Sequence, residues 1–99
     1  GAGRMHGEYK IPGGKLVVAD LNVIDARLTD VRVSGDFFIE PDSALDVIDA
    51  ALQGLPADTS HEALTLAIEA ALDAEVTLYG ITPGGVAMAV RRAIDGATP

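Results

Sequence analysis

The sequence predicts a small two-layer α+β domain: a three-stranded antiparallel meander with three helices packed mainly on one face. Three observations carry this prediction. The first 39 residues hold three runs in which apolar and polar residues alternate with the period of two that marks half-buried strands. Beyond Glu40 the apolar spacing lengthens to three and four, in stretches opened by capping residues or proline. A chain of 99 residues can bury one core and not a second.

His6 to Ile11 reads as the first strand. Pro12-Gly13 then suits the central positions of a type II turn, because proline fixes φ and glycine accepts φ > 0. The second strand, Lys15 to Ile24, places Val17, Ala19, Leu21 and Val23 on the face expected to meet the helices. Leu16, Val18, Asp20, Asn22 and Ile24 fall on the other face, a mixture suited to partial solvation and partial cover by a partner. Asp25-Ala26 stands where a tight hairpin prefers Asp-Gly. Alanine at φ > 0 costs roughly 1–2 kcal/mol, which favours a longer loop. The third strand, Leu28 to Ser34, alternates Val31 and Val33 against Asp30, Arg32 and Ser34, and Gly35 permits a bulge or bend after it. Phe37 and Phe38, if both on extended backbone, point to opposite faces, so one enters the core and the other does not unless Gly35 has already ended the strand.

Glu40-Pro41-Asp42 breaks the strand and opens a helix to about Gln53, with Leu45, Ile48 and Leu52 inward and Asp42, Asp46, Asp49 and Gln53 outward. Gly54 and Pro56 stop it. Thr59-Ser60-His61-Glu62 has capping-box spacing, with Thr59 as the cap, before a second helix to about Leu72 whose inner stripe is Leu64, Ile68 and Leu72. Val76 to Tyr79 reads as an extended connector. Thr82-Pro83 caps a third helix to about Ile94 that buries Val86, Ala89, Val90 and Ala93, with Arg91 and Arg92 in its last turn. The domain is expected to span residues 5 to 95, with a short tail from 96 to 99. Gly1 to Arg4 reads as a cloning remnant before a natural start at Met5.

Composition excludes several functions. There is no Cys, which removes disulfides, thiolate metal sites, iron–sulfur ligation and thiol nucleophiles together. The net charge is −8, and residues 40 to 75 hold nine carboxylates and no Lys or Arg, so neither nucleic acid nor an anionic membrane is an expected partner. The acidity reads as a solvated helical face. No apolar run is long enough to span a bilayer and no signal-peptide core is present, so a cytoplasmic location is expected.

No catalytic constellation emerges. Gly13-Gly14-Lys15 lacks the hydroxyl residue and the following helix of a phosphate-binding loop. Thr82-Pro83-Gly84-Gly85 exposes backbone N–H groups at a helix start, but two glycines there fit close helix packing better. His6 and His61 have no metal-binding spacing. Asp42, Asp46 and Asp49 share a helix face without the loop carbonyls of a calcium site. Ser34, Ser43 and Ser60 lack a nucleophile's setting. No general acid, base, nucleophile or metal ligand is assigned.

The segment His6-Gly7-Glu8-Tyr9-Lys10-Ile11-Pro12-Gly13-Gly14-Lys15-Leu16-Val17, with Val33-Ser34-Gly35-Asp36-Phe37-Phe38 after a hairpin, resembles the C-terminal accessory domain of lipoate–protein ligases. Gly80-Ile81-Thr82-Pro83, opening the last helix, is similar to that family too. The resemblance runs from Met5 to about Ile94. It implies a non-catalytic subunit, encoded separately, that promotes lipoyl-adenylate formation by a catalytic ligase subunit in a heterodimer, and through it serves lipoyl carrier domains. Lipoate, ATP and magnesium would belong to that partner, with no cofactor bound by this chain alone. Lys10, Pro12, Gly13, Gly14, Lys15, Leu16 and Val18 would form a partner-facing hairpin, with Gly35, Asp36, Phe37 and Phe38 beside it. Ala26 and Gly84-Gly85 depart from the residues expected at a hairpin and a helix start. A second reading is a self-standing regulatory domain that binds lipoate or its adenylate in an apolar pocket. A scaffold resembling iron–sulfur assembly proteins conflicts with the absence of Cys.

Overall fold

The computed structural model describes residues 4–96, so the expectations for residues 1–3 and 97–99 lie outside it. Its elements run β1 (Met5–Lys10), β2 (Leu16–Ile24), β3 (Arg27–Gly35), β4 (Phe38–Glu40), α1 (Ala44–Leu52), α2 (His61–Ala71), β5 (Thr77–Tyr79) and α3 (Pro83–Gly96). β1, β2 and β3 form the antiparallel meander, and β4 pairs with β5 in a second, two-stranded sheet. The predicted α+β architecture stands. The connector read over Val76 to Tyr79 is in fact β5, held by long-range pairing with β4 that a three-residue run cannot announce.

The helices cover the face of the meander that the alternation selects. Val17, Ala19 and Leu21 are fully buried there with Leu28, Val31 and Val33. Leu28 and Val31 are three residues apart yet share that face, because the register shifts opposite Asp20 to Asn22, where Asp30 takes φ 49°. This bulge sits at Asp30, within β3, while after Gly35 the strand ends in a bend at Asp36, as expected of that glycine. α3 lies against β1 so closely that a Cβ on Gly7 would stand 2.3 Å from both Ala89 O and Ala93 N. Gly85 is also close-packed, a Cβ there meeting Ile11 Cδ1 at 2.3 Å, although that side chain can shift where the backbone facing Gly7 cannot. Gly85 thus serves close packing.

The β2–β3 hairpin is tight. Ile24 pairs with Arg27, and the two intervening residues have φ 53° (Asp25) and 61° (Ala26), so the expected longer loop does not form. Tertiary contacts hold the strained turn: Ala57 N–H donates to Ala26 O at 2.8 Å and Leu28 N–H to Leu55 O at 2.9 Å. Ala26→Gly is expected to raise stability by about 1 kcal/mol, since glycine adopts this φ without the Cβ penalty. Chemical denaturation would measure it, and an unchanged or lower midpoint would overturn the assignment of strain.

α1 begins two residues later than expected, after a turn in which Ala44 N–H donates to Pro41 O. Asp49 and Gln53 were expected to face water, but they close the free edge of β3. Val33 N–H donates to Asp49 Oδ1 at 3.0 Å, and Val31 donates to Gln53 Oε1 at 3.3 Å while its carbonyl accepts from Gln53 Nε2 at 3.4 Å. Burial is the main force raising the Asp49 pKa above its usual 3.8, opposed by the Val33 hydrogen bond and aided by Asp46. A raised carboxylate pKa contributes stability that is present at low pH and lost as pH rises through the folded value. Asp49→Asn keeps the acceptor and removes the buried charge, so at pH 7 it is expected to match or exceed the native stability by up to about 1 kcal/mol, water screening the rest. That difference should close as pH falls toward 3.8. Asp49→Ala, which orphans Val33 N–H, should cost about 1–2 kcal/mol. Thermal unfolding from pH 4 to 8 tests both, and Asp49→Asn destabilising as much as Asp49→Ala would contradict the account.

The α2 cap falls one residue beyond Thr59. Ser60 Oγ accepts from Ala63 N–H at 3.1 Å, while Thr59 is engaged in donating its hydroxyl to Pro56 O at 2.6 Å. Thr82 caps α3 as expected, accepting from Gly85 N–H at 3.0 Å. α3 continues to Gly96, so Arg91 and Arg92 lie before its last turn and make tertiary contacts. Arg91 Nη1 donates to Ala57 O at 2.7 Å, and Arg92 Nη1 to Glu8 O at 3.0 Å. Arg4, counted with the remnant, reaches Asp30 at 2.6 Å.

Candidate functional site

The two segments singled out by sequence meet at one end of the meander. In the β1–β2 turn, Gly14 N–H donates to Ile11 O at 2.8 Å and Gly13 takes φ 73°, the type II geometry expected of Pro12-Gly13. Asp36 N–H donates to Leu16 O at 3.4 Å, which joins the end of β3 to the start of β2. Gly35 has φ 151°, and a Cβ there would lie 2.1 Å from Leu16 O, so only glycine permits this approach.

The lysines differ in role. Lys10 Nζ folds back over its own turn and donates to Gly14 O at 2.6 Å and Ile11 O at 3.1 Å. Lys15 is anchored through its backbone, its N–H donating to Gly80 O at 2.8 Å while its stem lies against Gly80. Its ammonium has no hydrogen-bond or ion-pair partner among the described residues. Lys15 thus presents an unengaged, exposed ammonium at this end of the meander.

The phenylalanines divide as the alternation requires. Phe37 packs against the core, and Phe38 is 54% exposed. Sequence reasoning did not find the partner of Phe38. Tyr79, 50% exposed, stands beside it across the β4–β5 pair, with ring centroids 5.6 Å apart and planes tilted by 47°. Phe37, Phe38, Ile39 and Leu45 line a shallow hollow of 260 Å³ with Asp42 at its wall. Two large aromatic rings half in water, side by side, form an amphipathic surface of the kind that anchors protein interfaces.

Leu16 and Val18 lie half-buried on the uncovered face of the meander, opposite Lys10 and Glu8. Ile24 stands at the far end of β2, 59% exposed and opposite Arg27. The polar row His6, Asp20 and Arg32 separates it from Leu16 and Val18, so the structure does not join these apolar residues into one patch. Within that row His6 Nε2 lies 2.7 Å from Glu8 Oε2 and Nδ1 lies 2.7 Å from Asp20 Oδ1. These bonds, Glu8 first and Asp20 second, raise the His6 pKa, because two carboxylate acceptors favour the doubly protonated ring.

No protein-family model and no curated protein matches the sequence. By structure, the chain is similar to a chain of an archaeal lipoylation system, the bi-partite lipoate protein ligase and its E2 lipoyl domain from Thermoplasma acidophilum. The match has a TM-score of 0.64 and 20% sequence identity, and covers 90% of this chain and 93% of the other. Coverage this close in both directions means that the two chains have nearly the same length. What they share at this identity is the path of the backbone, and the chain described here therefore has the fold of a component of a lipoate protein ligase system.

Proposed function

We propose that this chain is the non-catalytic accessory subunit of a two-chain lipoate–protein ligase. It binds a separate catalytic subunit as a heterodimer in the cytoplasm and promotes formation of lipoyl-adenylate there. Lipoate, ATP and magnesium are held by that partner, and lipoyl carrier domains are served through it. The observation that carries this reading is the fold likeness, over nearly the whole of both chains, to a component of a bi-partite ligase system. The end of the meander supplies the means of contact: the Phe38–Tyr79 pair, the Pro12-Gly13 turn, and the free ammonium of Lys15. An accessory chain acts by binding one conformation of its partner better than another, so differential contact at this end would favour the partner's adenylating state.

The regulatory alternative has less support. The hollow beside Phe37, 260 Å³, is below the size of ordinary small-molecule sites, and the carboxylate of Asp42 at its wall would repel that of lipoate. A wider hollow of 570 Å³ between the β2–β3 hairpin and α3 is of ligand size, but Asp25, Asp58 and Asp95 line it, and its Arg27 and Arg91 are already engaged by Gly54 O, Ala57 O and Asp95.

The test is lipoyl-adenylate formation by the catalytic subunit, with and without this chain, at fixed lipoate, ATP and magnesium. The expected result is adenylate only, or much faster, when both chains are present, and a lower rate with Lys15→Ala. A catalytic subunit equally active alone would overturn the accessory role.

A further inference from the structure

The meander treats its two edges differently. Asp36 N–H donates to Leu16 O, so Leu16, Val18 and Asp20 turn their backbone groups toward β3. Val17, Ala19 and Leu21 then turn toward β1, where they pair with Tyr9, Gly7 and Met5. It follows that His6, Glu8 and Lys10 direct their N–H and C=O groups out of the sheet. Arg92, reaching Glu8 O from outside, occupies the position this geometry requires. On β3 the outward N–H and C=O of Val31 are taken by Gln53, and the outward N–H of Val33 by Asp49. Among the described residues nothing takes the amides of His6, Glu8 and Lys10. Natural sheets usually cover such an edge.

We infer that the outer edge of β1 is a strand-addition site, which takes an extended, acidic segment of the catalytic subunit as a fourth strand of the meander. This rests on the accessory reading above. Outward groups repeating every second residue are matched by another extended backbone. The charge of the occupant follows from the surroundings. In a chain of net charge −8, the carboxylates of Glu8 and Asp20 beside this edge are both engaged by His6, which leaves Lys10 and Arg92 as the charges it presents to an incoming strand. Arg92 lies with its guanidinium 4.9 Å from the centre of the Tyr9 ring, at the rim of the strand, where it can exchange Glu8 O for an incoming carboxylate.

A second copy of β1 is a poorer occupant. Antiparallel pairing centred on Tyr9 sets Pro12, which lacks an N–H, opposite His6. Centring on Glu8 sets Glu8 against itself, and centring on Gly7 sets Arg4 against Lys10. Each register loses a hydrogen bond or opposes like charges.

The experiment is amide hydrogen exchange, residue by residue, on this chain alone and bound to the catalytic subunit. Strand addition predicts that the His6, Glu8 and Lys10 amides slow by about tenfold or more in the complex, whereas Gly7 and Tyr9, already bonded to β2, change little. Glu8→Pro removes an outward N–H without touching the β1–β2 ladder and should weaken association by about tenfold, while Glu8→Gln should not. Should Glu8→Pro fail to fold, exchange on the unaltered chain decides. A complex that forms without protecting these three amides overturns strand addition and leaves the accessory role standing. Failure of any complex to form with an active catalytic subunit overturns both.

Discussion

Alanine at Gly7 is expected to cost the fold about 3 kcal/mol or more, and so to lower the melting temperature by roughly 15 °C. The atoms in the way are backbone atoms of α3, Ala89 O and Ala93 N, each 2.3 Å from the new Cβ. No rotamer change relieves such a contact, so β1 and α3 must separate along the line where Ala89 and Ala93 are now fully packed. Gly96→Ala is the control, since nothing lies within 4 Å of a Cβ there. Thermal melts of the two variants would check the prediction. A loss below about 1 kcal/mol for Gly7→Ala would show that the two elements can slide apart cheaply.

Removal of the exposed aromatic pair is expected to act on association instead. Phe38→Ala and Tyr79→Ala should each weaken binding to the catalytic subunit by about 2 kcal/mol, close to thirtyfold, as interface aromatic anchors do. The stability cost should stay near 1 kcal/mol, because the rings are half in water and lose mainly their mutual contact. Leu66→Ala offers a comparison: it is equally apolar, 63% exposed, and lies on α2, outside this surface. Calorimetric titration distinguishes the cases. Equal affinities for all three variants would remove the aromatic pair from the interface.

The strands of the meander were legible because alternation survives any tertiary context that buries one face, as Val17, Ala19 and Leu21 show. The Pro12-Gly13 turn was legible because it is decided by two residues' own backbone preferences. What local sequence could not show was decided by distant partners. Asp25-Ala26 reads as a poor tight turn, and Leu55 and Ala57 hold it tight nonetheless. Asp49 and Gln53 read as solvent-facing because nothing in a helix announces a sheet edge beside it. Tyr79 reads as part of a connector, since its role depends on Phe38, 41 positions earlier in the chain. The candidate site was accordingly half visible: its hairpin and its Gly35-Asp36-Phe37-Phe38 segment from the resemblance, its second ring and its Gly80 anchor only from the fold.

Edge-to-edge growth of a sheet into a fibre needs two receptive sides on every molecule, one to give and one to receive. Asp49 and Gln53 close one of them on this chain. Two copies that met through β1 would therefore present only their covered β3 edges, and growth of the meander would stop there. Asp49 and Gln53 thereby guard the meander against edge-to-edge growth, and replacing both would open the β3 edge to it.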